Sequence, residues 1–203
     1  MFITFEGIEG SGKTTQIKLL AEWFEKNGRS VLMSREPGAT PFGKKIRELV
    51  LDPDQVFNST FTELLLFYAD RLEHVETLVK PALAQGQIVL CDRFLDSTEA
   101  YQIGGRGIEP KWVNQLNDMI DLRPNLTLFL DINCEEGLKR AKQRAELDRF
   151  EHESLVFHNK VRQQYTHIAK REAARFKSVD VNGLTPQEVH QKVLSIIQKE
   201  YSL

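Results

Sequence analysis

No stretch of this 203-residue chain approaches the roughly 20 consecutive apolar residues that a membrane-crossing helix requires, and its first residues lack the charged-then-apolar layout of a secretion signal. A cytoplasmic protein with no membrane partner is the expectation. Neither sign of charge dominates, because 27 Lys+Arg face 29 Asp+Glu and leave a formal net charge of -2. No global field then favours nucleic acid, so no nucleic-acid partner is expected and any phosphate binding must come from local clusters. The two cysteines, Cys91 and Cys134, have neither metal-ligand spacing nor enough partners for a disulfide framework. They read as small core residues in a reducing compartment. His74, His152, His158, His167 and His190 also share no metal-ligand spacing, and are expected at the surface or partly packed, outside any mechanism. No repeat, linker or low-complexity stretch interrupts the chain, whose length suits one well-buried core and is short for two. One domain spanning residues 1–203 is expected.

Short apolar runs recur at Phe2 to Phe5, Val31 to Met33, Ile88 to Cys91, Leu126 to Leu130 and Val179 to Val181, separated by helical patterning. That rhythm belongs to a parallel sheet wrapped by helices in an α/β fold. The first helix carries Ile17, Leu20, Ala21 and Phe24 at helical spacing and stops at Asn27-Gly28. A second starts at Thr40, with Pro41 in its first turn. A long one, from about Thr60 to Gln85, carries Leu64, Phe67, Tyr68, Leu72, Val75, Leu78 and Val79. Pro110 opens another, with Val113, Leu116 and Ile120 on one face, and Thr185 to Glu188 forms a capping box for the last. Ile103 to Gly107 (IGGRG) is too glycine-rich for a helix interior and reads as a turn or mobile loop.

Residues Gly7 to Thr14 read GIEGSGKT, a complete Gly-x-x-x-x-Gly-Lys-Thr phosphate-binding loop between the first strand and the first helix. Its glycines let successive backbone N–H groups turn inward around phosphate oxygens, Lys13 adds a mobile cation, and Thr14 offers a hydroxyl to Mg²⁺. The helix behind contributes its positive end. A guanine-reading Asn-Lys-x-Asp is missing: the only Asn-Lys is Asn159-Lys160-Val161-Arg162, in a polar helix. Guanine specificity is thereby disfavoured.

A doubly wound sheet binds ligands beyond the carboxyl ends of its strands, and three clusters fall there. Arg35-Glu36-Pro37-Gly38 follows the second strand; Asp92-Arg93-Phe94 and then Asp96 to Gln102 follow the third; the cationic run Lys139 to Arg149 follows the fourth. Asp92 is placed to share Mg²⁺ with Thr14, although an aspartate at a strand end also serves to cap a helix or pair with Arg93. The run holds Lys139, Arg140, Lys142, Arg144 and Arg149. Alone it is a solvated helix face; beside a phosphate loop it becomes a candidate lid at about 139–151.

GIEGSGKTT, REPGATP, FYADR, DRF, STEAYQ, GRG and RAELDRFE occur in the order found in thymidylate kinases, over a stretch from about Phe2 to the C-terminal helix. The chain resembles that family, in its bacterial form, and specifically the subtype with its transition-state arginine in the lid, since Gly10 stands where an arginine is the alternative and Arg144 stands in the lid. The resemblance implies a P-loop NTPase fold of the nucleoside monophosphate kinase kind, with a five-stranded parallel sheet flanked by helices on both faces. It implies transfer of the γ-phosphoryl group of ATP to dTMP, with Mg²⁺ as cofactor, in a homodimer. The nucleophile would be an acceptor phosphate oxygen, already ionised, so no general base is needed. Two rival readings are a deoxynucleoside kinase acting on thymidine, with Glu36 as base, and a noncatalytic ATP-dependent switch.

On this reading Lys13, Arg93 and Arg144 are catalytic. The donor side comprises Gly7, Ile8, Glu9, Gly10, Ser11, Gly12, Lys13, Thr14 and Thr15, with Arg140 flanking adenine. For the acceptor, the family assigns Phe67 to stacking on thymine and Arg71 to its carbonyl, while periodicity alone puts Phe67 in the core. Thr98 and Gln102 would face the base, Tyr101 would crowd a ribose 2′-hydroxyl, Glu9 would approach the 3′-hydroxyl, and Glu36, Gly38 and Ser97 would shape the pocket. Glu36 alone reads equally as a surface acid paired with Arg35. Arg149 either binds donor phosphates or pairs with Glu146 or Glu151. Three departures from the family pattern stand out. Ala39 and Ile103 replace usual glycines, which would restrict any positive φ, and Glu99 brings a charge that is expected to point outward.

Overall fold

The computed structural model describes residues 1–144 and 148–201, Arg144 in its backbone alone. Five strands, β1 (Phe2–Glu6), β2 (Val31–Arg35), β3 (Ile88–Asp92), β4 (Leu126–Asp131) and β5 (Phe176–Asp180), form one sheet in the order β2-β3-β1-β4-β5. Every pairing is parallel, with Phe5 opposite Asp92 and Arg35 also opposite Asp92. Side chains alternate along each strand, and the core divides accordingly. Ile3, Phe5 and Leu90 enter one apolar cluster, Phe2, Val89 and Cys91 another. Cys91 and Cys134 are free thiols, both buried.

The first cluster is closed by Leu20 and Phe24 of α1 (Lys13–Lys26) and by Val193 and Ile197 of α9 (Pro186–Tyr201). Helix α1 ends as its sequence signals, with Gly28 at φ 73, and the Thr185–Glu188 capping box closes as the Thr185 N–H donates to Glu188 Oε2 at 2.8 Å and the Glu188 N–H donates to Thr185 Oγ1 at 3.3 Å. Thr40 caps α2 (Pro41–Leu51) by accepting from the Gly43 N–H at 2.8 Å. The second cluster is closed by α3 (Thr60–His74), by the segments that follow it, and by Val113 of α6 (Pro110–Asn117).

Several expectations are corrected. The long helix is continuous from Thr60 to Ala84 but widens into a π-helical turn at Val75–Val79 before α4 (Lys80–Ala84). Pro81 explains the widening, because a proline ring inside a regular helix collides with the carbonyl of the preceding turn. Helix α6 stops at Asn117, leaving Ile120 buried in the turn beyond it. The fifth strand begins at Phe176, earlier than its apolar run suggests, because Lys177 and Ser178 interrupt the run without interrupting the ladder.

The glycine-rich IGGRG is a turn only at its end, where Arg106 and Gly107 (φ 75) leave the helix, while Ile103 to Gly105 are helical. After the short helix α5 (Leu95–Thr98), a π-helical segment runs from Glu99 to Gly105. Its glycines serve close packing against α8 (Leu155–Arg171): a Cβ on Gly104 would lie 2.7 Å from Gln164 Cβ and 3.0 Å from Lys160 O. Neither Ala39 nor Ile103 adopts a positive φ, so those two departures impose no strain. Glu99 does not point outward, being 7% exposed, with Arg171 donating to both its oxygens at 2.8 and 2.7 Å.

Candidate active site

The phosphate loop closes between β1 and α1. Gly10 has φ 69, and a Cβ there would lie 2.0 Å from the Gly137 carbonyl of α7 (Cys134–Arg144), so both backbone geometry and space demand glycine. Lys13 folds back and donates to the carbonyls of Gly7 and Ile8, each at 3.0 Å. Burial, and then Arg93, lower its pKa to about 8, against the opposing pull of Asp92, Glu9 and Glu6. The Thr14 hydroxyl donates to Asp92 Oδ2 at 3.2 Å, as expected where β3 lies beside β1.

One cavity of about 1160 Å³ runs along the carboxyl edge of the sheet. It is lined by every site residue expected from the sequence except Gly7 and Ile8, which back the loop, and Arg144, whose side chain lies outside the described residues. Glu146 also lies outside them. Val181 and Leu184, beyond β5, line it too, and Arg140 reaches it while donating to Glu136 at 2.9 Å.

The joint between the two ends of this cavity is Arg93. It is the only non-glycine residue with positive φ among the described residues, at 70°. Its Nη2 donates to Glu9 Oε1 at 2.9 Å, its Nη1 approaches the hydroxyls of Ser97 and Tyr165 at 3.3 and 3.4 Å, and its guanidinium lies 5.0 Å from the Tyr101 ring centre. Tyr101 donates to the same Glu9 oxygen at 2.5 Å. Burial raises the pKa of Glu9, yet His158, Arg93 and Lys13 together hold it well below the usual carboxylate range.

At the far end, Phe67 borders the cavity beside Phe150, with ring centres 6.0 Å apart. Arg71 is 2% exposed and fans out its donors: Nε to Glu36 Oε2 at 2.7 Å, Nη1 to Thr98 Oγ1 at 2.8 Å, and Nη2 to the Phe94 carbonyl at 3.0 Å. Glu36 is therefore no surface partner of Arg35. Its other oxygen meets His74 Nδ1 at 2.8 Å, and His74 Nε2 meets Ser34 at 2.6 Å. Gly38 donates to Asp70 at 3.0 Å, and Gln102 to Glu63 at 2.7 Å.

Arg149 pairs with Glu63, and its Nε donates to the Val50 carbonyl at 2.9 Å. Glu63 also receives Arg106 at 3.2 Å, so the segment after α7 is tied to α3. The expectation of surface histidines fails at two positions: His74 and His158 are both 0% exposed.

Three further residues escaped the sequence reading. Glu6 ends β1 and accepts from the Phe94 N–H at 2.8 Å, the Ser97 hydroxyl at 2.5 Å and the Tyr165 hydroxyl at 2.8 Å. Burial first and Asp96 second push its pKa up to about 7, against Ser97, Arg93 and Tyr165. Asp70, similarly raised to about 6 by burial and Glu36, lies one residue before Arg71. Arg47 lines the cavity from α2, and its Nη1 donates to the Pro37 carbonyl at 2.9 Å. Its spacing of four from Gly43, on the helix face turned to α3, was the available signal; a lone charge at the end of a strand gave none for Glu6.

The family model described as Thymidylate kinase matches residues 5–193. The chain is 49% identical over 198 residues to the thymidylate kinase of Syntrophotalea carbinolica, covering 94% of this chain and 92% of that protein. It is 44% identical over 216 residues to the thymidylate kinase of Trichodesmium erythraeum, covering 98% and 95% respectively. Among solved structures, thymidylate kinase from Ehrlichia chaffeensis superposes with a TM-score of 0.79 at 38% identity, covering 98% of each chain.

Proposed function

The chain belongs to the thymidylate kinase family and transfers the γ-phosphoryl group of ATP to dTMP; from that premise we propose how the cavity along the sheet edge divides between the two nucleotides. ATP lies with its phosphates in the loop Gly7 to Thr15 and its adenine between Arg140 and the segment around Val181 and Leu184. The base of dTMP stacks on Phe67, with Arg71, Thr98 and Gln102 along its edge, Glu36 and Gly38 behind, and Ser97, Tyr101 and Glu9 about the sugar and phosphate. The observation that carries this reading is the position of Arg93, bonded to Glu9 of the phosphate loop and stacked on Tyr101 of the acceptor pocket.

Thr14 and Asp92 suit Mg²⁺, because both present oxygen and no cluster of three His, Cys, Asp or Glu exists among the described residues to make an all-protein cage. Magnesium is typically held by one or two protein oxygens together with phosphates and water. Bound there, it would neutralise phosphate charge on the donor. Lys13 and Arg93 supply converging cations, and the acceptor phosphate oxygen attacks without a base, so the protein's contribution is alignment and electrostatics. Residues 1–203 act as one kinase domain whose lid, at about 139–151, brings Arg144 to the transferring group and excludes water. The homodimer contact falls on exposed Phe42 and Leu49 of α2 with Phe61 and Leu65 of α3. Two buried free thiols accord with a cytoplasmic setting.

ADP release at fixed Mg-ATP across dTMP, dUMP, dCMP, dGMP and thymidine tests the acceptor assignment: dTMP should give the fastest turnover and thymidine none. Arg144→Ala should lower kcat by about 10²-fold or more, in the range of a lost transition-state donor. Unchanged turnover with both nucleotides still bound would remove the lid arginine from the mechanism.

A further inference from the structure

His158 has no part in the roles assigned above, yet it is wholly buried at the back of the acceptor side. It lies in the first turns of α8, its N–H bonded to the carbonyl of the capping residue Ser154 at 3.2 Å. Its Nδ1 faces Glu9 Oε2 at 3.3 Å, with His158 0% and Glu9 9% exposed. Glu9 Oε1 is already taken by Arg93 and Tyr101, at 2.9 and 2.5 Å. None of Glu9 Oε2, His158 Nδ1 and His158 Nε2 has a hydrogen-bond partner among the described residues, which leaves the 3.3 Å ion-pair contact as what Oε2 and Nδ1 share. Two buried polar atoms that would each be costly to leave alone therefore have only each other.

The main chain of Glu9 is held as well. A Cβ on Gly137 would sit 2.6 Å from the Glu9 carbonyl, so α7 packs directly on that peptide. What remains free is rotation of the carboxylate. Its Oε1 edge faces Arg93 and Tyr101, where the sugar is placed, and its Oε2 edge faces His158. An unopposed arginine takes a carboxylate through both oxygens. Without a partner on Oε2, Arg93 is free to rotate the group into such a fork and draw it off the sugar.

We propose that His158 is a positioning residue for recognition of the acceptor's 3′-hydroxyl: by engaging Oε2 it keeps Glu9 turned so that the other edge meets that hydroxyl. The proposal rests on the assignment of Glu9 to the sugar made above. It makes His158 a determinant of the preference for deoxynucleotides that carry a 3′-hydroxyl over those that lack one.

The test compares kcat/KM for dTMP and for 3′-deoxy-TMP in the unaltered enzyme and in H158F, H158L, H158N and E9Q, with KM for ATP and the unfolding midpoint recorded for each. H158F and H158L, neither of which can donate, should narrow the preference for dTMP by about tenfold, the usual scale of one buried hydrogen bond, leaving 3′-deoxy-TMP and ATP kinetics nearly unchanged. H158N, whose amide still donates, should restore most of the preference. Equal losses on both acceptors, or no loss in a folded variant, would overturn the proposal. An unchanged preference in E9Q would instead remove Glu9 from the sugar, and the proposal would fall with it. Two apolar variants of different shape guard against a failure of either to fold.

Discussion

Arg71 Nε donates to Glu36 Oε2 at 2.7 Å inside the protein, where the two side chains are 2% and 3% exposed. With its second oxygen against His74, Glu36 has a partner on each oxygen inside the protein. Glu36→Ala should destabilise the fold by roughly 3 kcal/mol, because it strands a buried guanidinium. Urea unfolding measures the loss, and an unchanged midpoint would contradict the buried pairing.

Lys13, with a pKa of about 8 in the free protein, is about half protonated at that pH. Phosphates favour the charged amine, so ATP binding should take up about half a proton at pH 8 and almost none at pH 6.5. Calorimetry in buffers of different ionisation enthalpy reads this directly. Binding heats independent of buffer at pH 8 would contradict the assignment.

Glu6 and Asp70 are raised to about 7 and about 6, so the folded state holds their protons more tightly than the unfolded chain does. Their contribution to stability is fullest below pH 4, where both states are protonated. It is lost as pH rises toward 7, and is constant above. Glu6→Gln should flatten that fall, most visibly between pH 4.5 and 7, since the unperturbed glutamate value is 4.5. Unfolding free energies measured from pH 4 to 8 would refute the shift if the variant kept the full slope.

Gly104 permits the approach of α8, whose Gln164 and Lys160 would lie 2.7 and 3.0 Å from any added Cβ. Gly104→Ala should cost about 1–3 kcal/mol through displacement of that helix. A denaturation midpoint equal to that of the unaltered protein would show that the contact yields freely.

The sequence by itself determined the phosphate loop, the strand–helix alternation and the caps at Thr40 and Thr185. Each is written in residues a few positions apart, and glycine conformation, capping and helical periodicity act over that range. Tertiary structure alone decided which charge meets which: Glu36 with Arg71 rather than Arg35, Arg149 with Glu63, Glu99 with Arg171, and Glu9 with His158. It also turned Gly104 and Gly105 of IGGRG from a loop signal into a packing surface. Ionic and hydrogen-bond partners are chosen by proximity inside a desolvated interior. Proximity between residues tens or more than a hundred positions apart exists only once the sheet and its helices have closed.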